Sequence, residues 1–513
     1  MRYVSTSEMR AIDAKLLETA CHFPGIPASD RLIKLASQGL ANLVLEMQGD
    51  NAVRPVVHIV FGNGNNGADA VHAGLELAAR GFPVRYYAAL GSGEARGALK
   101  TLLETGRLPD VVWFEPERPW TAMPPSAIAP GDVVLDGILG IGVKGPPREP
   151  AAAAIRFVNR LKGRAHIVAV DVPSGLDADT GAAAGEVVHA DLTLCMGMPK
   201  TGLSSPFALE HAGSIQVNDL EIPDALLCAA ADADELVTVR DVAGCRPRRR
   251  WDAHKGDFGH VCIVGGCARY RGAPALAALG ALRAGAGLVT AVVPAGIADA
   301  VASHAPEMMI LPLDSEVATR RALEASGFSF VGNTVVVGPG MSRQAGVLDA
   351  LIWLLDSSGA AGAVLDADAL NLVGDEADAL AECDMPMILT PHPGEAARLL
   401  ACSAEEVQAD RAGALRRLVD ITRKAVILKG AGTLVSAPGR GVDLVAVVNP
   451  GVAGGCMGEV LAGVAGAMLA RGLDPFDAAR AAAWLHARAG DVAAWRRGHE
   501  AMLATDVVGC LGK

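Results

Sequence analysis

Short runs of apolar, β-branched residues recur along the chain, each ending in a glycine turn and followed by a small-residue helical stretch. They are VVHIVFGNG (56–64), VRYYAAL (84–90), DVVLDGILG (132–140), HIVAVDVPSG (166–175), HVCIVGG (260–266), TVVVGPG (334–340), AVLDADAL (363–370) and AVILKGAG (425–432). Near-continuous apolar strands that alternate with helices predict α/β architecture with parallel, doubly wound sheets. In such sheets ligands gather outside the carboxyl ends of the strands, where the glycines and carboxylates of this chain cluster.

The pattern breaks once, in EIPDALLCAAADADELVTVRDVAGCRPRRRWDAHKGDFGH, an acidic then basic stretch without a strong strand. At 513 residues the chain is too long for one core. The break therefore predicts an N-terminal domain over 1–228, a linker over 229–250 and a C-terminal domain over 251–513. Composition agrees with an α/β enzyme packed through small residues: 51% hydrophobic, only 4% aromatic, and 59 glycines. A net charge of −12 argues against nucleic acid as a partner. The one compact basic run, Arg246, Arg248, Arg249 and Arg250, falls in the expected linker and reads as a solvated segment. Ten cysteines without CxxC pairs read as buried thiols of a reducing compartment. The opening MRYVSTSEMRAIDAKLLE has no apolar signal core, and runs such as VLAGVAGAML are too short to span a bilayer. A cytoplasmic protein without a membrane partner is expected.

In the N-terminal half, FGNGNNGADAVHAG (61–74) joins a strand to a helix, yet its glycine spacing departs from GxGxxG. Asn65 and Asn66 offer amide carbonyls that suit a hard monovalent cation or a ligand amide. Two further strands end in related chemistry, Asp136 in LDGILGIGVKG and Asp171 with Ser174 in VDVPSGLDADTG. A carboxylate, an amide and a hydroxyl at adjacent strand ends could hold a potassium-like ion. Asp171 is placed to move a proton, or alternatively to cap a helix or form a turn. Asp177 and Asp179 read as turn formers.

GNGNNGAD, DGILGIG, AVDVPSGLDADTG and HADLTLCMGMPKTGL, with the helical opening, resemble the YjeF N-terminal domain, the NAD(P)H-hydrate epimerase family, over residues 1–225. That resemblance implies a Rossmann-like three-layer fold and K⁺ ligands at Asn66, Asp136 and Ser174. It also implies substrate contacts from Asn65, Asn66, Gly67, Ala68 and Asp69, and from Gly140, Ile141, Gly142, Val143, Lys144, Gly145 and Pro146. Asp171 falls on the substrate-binding aspartate that is the acid/base candidate. Where the family carries Gly-Gly-Asp-Gly, this chain has Gly67-Ala68-Asp69-Ala70. The added methyls are expected to limit positive φ and close approach of phosphate.

The C-terminal half carries HKGDFGHVCIVGG, YRGAPALAALGALRAGAGLVT, VVVGPGM, VLDADALN, LTPHPGEAARLL, VILKGAGTLV and NPGVAGGCMGEVLAG in that order. In KGAGT a cation, Lys429, stands beside backbone amides suited to nucleotide phosphates. His392 sits between two prolines, which is expected to hold its imidazole toward the crevice. The glycine-dense turn 449–461 ends in Glu459 at a helix start, a place for a base that strips a hydroxyl proton, or for a carboxylate favoured by the helix dipole. Taken singly, Lys429 also reads as a surface lysine and His392 as a hydrogen-bonded turn residue.

The ordered set resembles the YjeF C-terminal domain, the ADP-dependent NAD(P)H-hydrate dehydratase, a ribokinase-like fold, over about 250–510. That resemblance implies substrate contacts at Ala273, Gly340 and His392. It places nucleotide contacts at Lys429, Gly430, Ala431, Gly432, Thr433 and Gly458, and the catalytic base at Glu459, with ADP and Mg²⁺ as co-reactant and cofactor. The family's loop reads Ala-Thr-Gly-Gly-x-Gly-Asp, whereas this chain reads Ala453-Gly454-Gly455-Cys456-Met457-Gly458-Glu459. Glutamate moves the carboxylate about one bond outward, and a ~1 Å misplacement costs on the order of 100-fold. Cys456 is expected to crowd the anion-binding turn.

Together the two resemblances imply a bifunctional metabolite-repair enzyme. It would interconvert the R and S forms of hydrated NADH or NADPH and dehydrate the S form with ADP, giving AMP and phosphate, as a homo-oligomer. Two alternatives stand beside it: a ribokinase-like kinase of a vitamin precursor, and a ligand-binding or scaffold protein with a decayed dehydratase site.

Overall fold

The computed structural model describes residues 1–513 except 20–27, 50–52, 91–94, 96, 107, 109, 114–127, 228–231, 246–248, 375 and 513. The chain divides into two compact units, Met1–Ala229 and Ala230–Lys513.

The first unit is built on seven strands: β1 (Val57–Phe61), β2 (Val84–Ala88), β3 (Val111–Trp113), β4 (Val133–Gly137), β5 (His166–Val170), β6 (Leu192–Met196) and β7 (Ser214–Asn218). They lie in the order β3-β2-β1-β4-β5-β6-β7, every pair parallel. Strands β1, β4 and β6 are buried along their whole length, as their unbroken apolar runs require. Strand order reverses between β1 and β4, and this switch point opens a crevice at the strands' carboxyl ends.

The second unit continues with β8 (His260–Val264), β9 (Leu288–Pro294), β10 (Met309–Leu313), β11 (Thr334–Val337), β12 (Gly362–Leu365), β13 (Met387–Leu389), β14 (Ala425–Leu428), β15 (Thr433–Ser436) and β16 (Asp443–Val445). The order is β10-β9-β8-β11-β12-β13-β14-β15-β16. Here the expectation of wholly parallel sheets needs correction: β15 pairs antiparallel with β14 and β16 with β15. The short KGAGT connection leaves no room for a crossover helix, so the chain turns back on itself. Small residues let helices touch backbone to backbone behind this sheet. A Cβ on Gly463 of the helix Met457–Ala470 would meet the carbonyl oxygen of Ala277, in the helix Gly272–Arg283, at 1.9 Å.

The described part of 229–250 is not a free linker. Leu236 bridges to Leu444, Val237 and Val242 are buried, and the helix Val239–Cys245 forms. Arg480 ties the segment down through Glu235 and Asp241, each at 3.1 Å. Arg249 stacks over Phe258 and donates to the Gly285 carbonyl; Arg246 and Arg248 lie outside the described residues. Cys195 and Cys262 are buried, Cys402 is half-buried and Cys456 exposed, all as free thiols. Among the described residues no helix is long and apolar enough to cross a membrane.

Candidate active sites

At the switch point of the first unit lies a cavity of about 670 Å³. Asn65, Asn66 and Asp69 reach it from the first turn of the helix Asn65–Ala79, and Gly140, Ile141, Gly142 and Val143 from the loop after β4. Asp171 arrives from the end of β5. Gly67 and Ala68 of the expected set are buried beneath this turn. A Cβ on Gly67 would lie 2.2 Å from the Gly62 carbonyl oxygen, so only glycine lets the helix start so close to β1. Lys144, Gly145 and Pro146 do not line the cavity; the Lys144 ammonium turns to Asp177 and Asp179, 3.4 Å from each. The methyls of Ala68 and Ala70 sit within the helix, and neither residue adopts positive φ. The expected backbone restriction therefore does not arise.

Asp171 is held in a left-handed conformation, φ 67°. Its Oδ1 accepts from the Met196 N–H at 2.9 Å and from the ammonium of Lys200. Lys200 is fully buried and also donates to the Met196 carbonyl at 2.8 Å. Sequence reading missed Lys200, although its place just beyond β6 obeys the same strand-end rule that marked Asp171. It also missed Asp13, which lines the cavity with Met9 and Leu17 at helical spacing on Thr6–Thr19. The signal was a carboxylate on the stripe where Met9, Ile12 and Leu16 are buried. Burial, with the charge of Asp171, raises the Asp13 carboxyl against the opposing pull of Lys200. Burial and the charges of Asp171 and Asp13 push Asp69 well above the usual range.

Behind the cavity, Asp136 and Ser174 have no solvent exposure. Ser174 Oγ donates to Asp136 at 2.6 Å, while the amides of Ser174 and Ile138 donate at 2.9 and 3.2 Å. Burial still raises the Asp136 carboxyl to about 6. Asn66 donates through Nδ2 to the carbonyls of Leu139 and Val170 at 2.9 and 2.7 Å. One carboxylate with amide, hydroxyl and carbonyl oxygens is a hard donor set of low charge, suited to a monovalent cation. Among the described residues no group of three or more His, Cys, Asp or Glu could hold a metal ion. Asp177 shapes its turn as expected, accepting from the amides of Asp179 and Thr180. Asp179 does more, receiving Thr6 N–H and Oγ1–H at 2.6 and 2.7 Å and so anchoring the first helix.

In the second unit, Lys429 closes β14 and sends its ammonium inward to Asp366 Oδ1 at 2.8 Å and toward Glu395 at 3.7 Å. It is no surface lysine. A Cβ on Gly458 would lie 3.0 Å from the Lys429 Nζ, so the ammonium joins the KGAGT turn to the turn carrying Glu459. The KGAGT turn, Lys429 to Thr433 including Ala431, is the β14–β15 hairpin connection. Arg411 clasps it from beneath through the carbonyls of Leu428, Lys429 and Gly432. The amides of Lys429 and Gly432 donate to the Pro391 and Val447 carbonyls at 2.9 and 3.4 Å, which leaves those of Gly430 and Ala431 at the tip of the turn as candidate donors to an anion.

Asp366 and Glu395, also missed, are nearly fully buried. Thr390 Oγ1 donates to Asp366 at 2.7 Å. His392 and Glu395 form a reciprocal cap of the helix Pro393–Leu399: Nδ1 of His392 accepts from Gly394 N–H at 3.0 Å, and Glu395 accepts from His392 N–H at 2.8 Å. The i, i+3 spacing in HPGE was the sequence signal. Burial and the charges of Lys429 and Arg398 lower the imidazole. Burial raises Glu395 to about 7, Lys429 opposing and Asp366 adding. Glu459, in the first turn of Met457–Ala470, is raised by burial and by the charge of Asp366, with Lys429 opposing. Ala273 and Gly340 lie together at the switch between β8 and β11, with 3.0 Å between the Ala273 Cβ and a Cβ placed on Gly340.

Residues 29–202 match the family described as YjeF-related protein N-terminus, and residues 261–512 the family described as NAD(P)H-hydrate dehydratase. The bifunctional NAD(P)H-hydrate repair enzyme Nnr of Moorella thermoacetica is 34% identical over 519 residues, spanning 99% of this chain and 95% of that protein. The Escherichia coli protein of the same name is 34% identical over 460 residues, spanning 88% of this chain and 84% of its own length. A crystal structure of the ADP/ATP-dependent NAD(P)H-hydrate dehydratase from Bacillus subtilis, co-crystallised with ATP/Mg²⁺, covers 54% of this chain and 96% of its own at 24% identity and a TM-score of 0.46. With identity sustained through both units and nearly the full length of its relatives, the chain belongs to the family of bifunctional NAD(P)H-hydrate repair enzymes.

Proposed function

We propose that the first unit epimerises hydrated NADH or NADPH at C6 of the nicotinamide ring and that the second dehydrates the S form with ADP. The observation that carries this reading is the match to repair enzymes through both units, each of which holds its own inward-facing lysine–carboxylate pair. A vitamin-precursor kinase has no use for the first unit. In the epimerase, Asp171, paired with Lys200, takes the proton released when water meets C6. Asn66, Asp136 and Ser174 would hold K⁺, which supplies a positive charge for orienting the substrate. Asn65 to Asp69 and Gly140 to Val143 enclose the ring.

In the dehydratase, Glu459 removes the proton of the C6 hydroxyl as its oxygen takes the phosphoryl group of ADP. That transfer leaves AMP; loss of phosphate from C6 and of a proton from C5 then restores the ring. The KGAGT amides and Gly458 receive the nucleotide, while Lys429 neutralises the carboxylates beneath it. Mg²⁺, when bound with the nucleotide, spreads the charge of the transferring phosphoryl group. Ala273, Gly340 and His392 face the hydrated dinucleotide.

Purified protein given mixed epimers of NADH hydrate restores the full NADH absorbance with ADP and none without it. Glu459→Gln lowers the ADP-dependent rate by about 100-fold or more. Wild-type protein that restores no NADH with ADP would defeat the dehydratase reading; formation of a stable phosphorylated product would favour a kinase instead.

A further inference from the structure

The epimerase cavity holds three carboxylates, and among the described residues only one of them, Asp171, receives a hydrogen bond. Asp171 is bound by Lys200 and the Met196 amide. Asp13 and Asp69 line the same cavity, and burial and neighbouring charges act on them without a hydrogen bond from any described residue. Asp13 comes from the helix Thr6–Thr19, upstream of the residues 29–202 that match the N-terminal family. Considerable structure serves to place it. Val4 pairs with Lys200 in a parallel bridge, its amide donating to the Pro199 carbonyl at 3.0 Å and its carbonyl receiving Thr201 N–H at 2.9 Å. Thr6 is clamped by Asp179. The first helix is thus fastened to the loop that carries Lys200, with Met9, Asp13 and Leu17 directed into the cavity.

We propose that Asp13 is a second catalytic residue of the epimerase, exchanging a proton with the C6 hydroxyl while Asp171 serves the opposite face of the ring. This rests on the epimerase reading above. C6 of the hydrate bears both a hydroxyl and the ring nitrogen, so inversion needs departure of oxygen from one face and return to the other. The carboxylic acid of Asp13 gives its proton to the hydroxyl oxygen. The C6–O bond breaks, its electron pair leaving with the oxygen as water, and the nitrogen lone pair forms an N1=C6 double bond. A water then bonds to C6 from the other face, the π pair returns to nitrogen, and the Asp171 carboxylate takes the surplus proton. One water leaves and one enters, and a single proton passes from Asp13 to Asp171. The opposite epimer runs the same steps backwards, and solvent exchange resets the pair.

Two carboxyl groups in different environments, one ion-paired and one without a hydrogen bond from the described residues, are what such alternation needs. Because Asp13 makes no hydrogen bond to the described protein, its removal leaves no orphaned donor behind.

The test uses the full chain, the separated R form of NADH hydrate and an excess of independent dehydratase activity as the reporter. Asp13→Asn lowers epimerase kcat by about 100-fold or more, with KM within about threefold of wild type. Its melting temperature and its own ADP-dependent action on the S form stay at wild-type values. Asp13→Glu regains part of the lost kcat, and Asp69→Asn acts chiefly on KM. A kcat for Asp13→Asn within about threefold of wild type overturns the proposal, as does a rise in KM alone. Loss of kcat in Asp69→Asn with Asp13→Asn silent overturns it too and transfers the role to Asp69. If wild-type protein does not epimerise, the epimerase reading itself fails, separately from Asp13.

Discussion

Each unit turns one lysine inward at the carboxyl end of a sheet, in a site that holds three carboxylates, and the two clusters differ in which carboxylates are tied down. Around Lys200, only Asp171 is paired, while Asp13 and Asp69 open into the cavity without a described partner. Around Lys429, Asp366 is fixed by Thr390 and Glu395 by the backbone of His392, leaving Glu459 as the carboxylate available for chemistry. Spare proton carriers suit a reaction that must work on two faces of a ring. A fixed bed of negative charge with one working carboxylate suits one proton abstraction beside an incoming phosphoryl group. The same charge count therefore serves different chemistry according to hydrogen bonding.

Replacing each lysine is the harshest test of this contrast. Lys429→Met leaves Asp366 and Glu395 buried and uncompensated, which costs about 3–5 kcal/mol in the second unit. ADP-dependent dehydration falls by about 1,000-fold, because the ammonium between the two turns proposed to receive the nucleotide is lost. Lys200→Met costs the first unit less, about 2–3 kcal/mol, since Asp171 keeps the Met196 amide and a cavity from which water can reach it. Epimerisation falls by about 100-fold. Two-transition calorimetry with separate assays of the two activities checks both variants. Equal losses in the two units would show that the tethering of Asp366 and Glu395 makes no difference.

Protonation sharpens the contrast at smaller magnitude. Glu395 is raised from an ordinary 4.5 to about 7. Between those values the folded unit holds a proton that the unfolded chain has released. Stability therefore falls as pH rises through this window and is fully retained only below it. Glu395→Gln keeps an acceptor for His392 N–H and cannot ionise, so it should remove the fall, a difference of about 2 kcal/mol between about pH 5 and about pH 7. Urea midpoints for the second unit measure this. An unchanged pH slope in the variant would mean that Glu395 does not carry the proton.

The strand–glycine–helix pattern made the two sheets legible because burial on both faces leaves an unbroken apolar run. It could not reveal the antiparallel edge β14-β15-β16, where the runs remain apolar and only the shortness of the KGAGT turn signals reversal. Asp136, Asp171, Ser174 and Glu459 were readable because each stands at or just beyond a strand end or at a helix start. Lys200 and Asp366 obey the same geometry yet read as ordinary until their partners, 29 and 63 residues away, are brought together. Asp13 was hidden differently: an acid on a helix reads as solvent-facing until a cavity is found against that face. The expected linker misled because acidic and basic residues such as Glu235, Asp241 and Arg249 looked solvated, whereas they pair with Arg480 or pack on Phe258.

The mildest test concerns Cys456, which the sequence suggested would crowd the anion-binding turn. Its side chain is instead exposed, and the unusual feature is its backbone, φ 68° and ψ 8°, at the cap of Met457–Ala470. A side chain in this left-handed region costs roughly 1–2 kcal/mol, part of which glycine returns as unfolded-state entropy. Cys456→Gly should therefore stabilise the second unit by about 1 kcal/mol and change dehydration by no more than about threefold. Cys456→Ala keeps the backbone strain while removing the thiol, so it should leave both stability and rate near wild type. Crowding predicts a different pair of results, with both variants gaining rate and alanine gaining as much as glycine. The anion-binding turn would then be limited by the thiol, and the exposed side chain would have to fold inward when nucleotide binds.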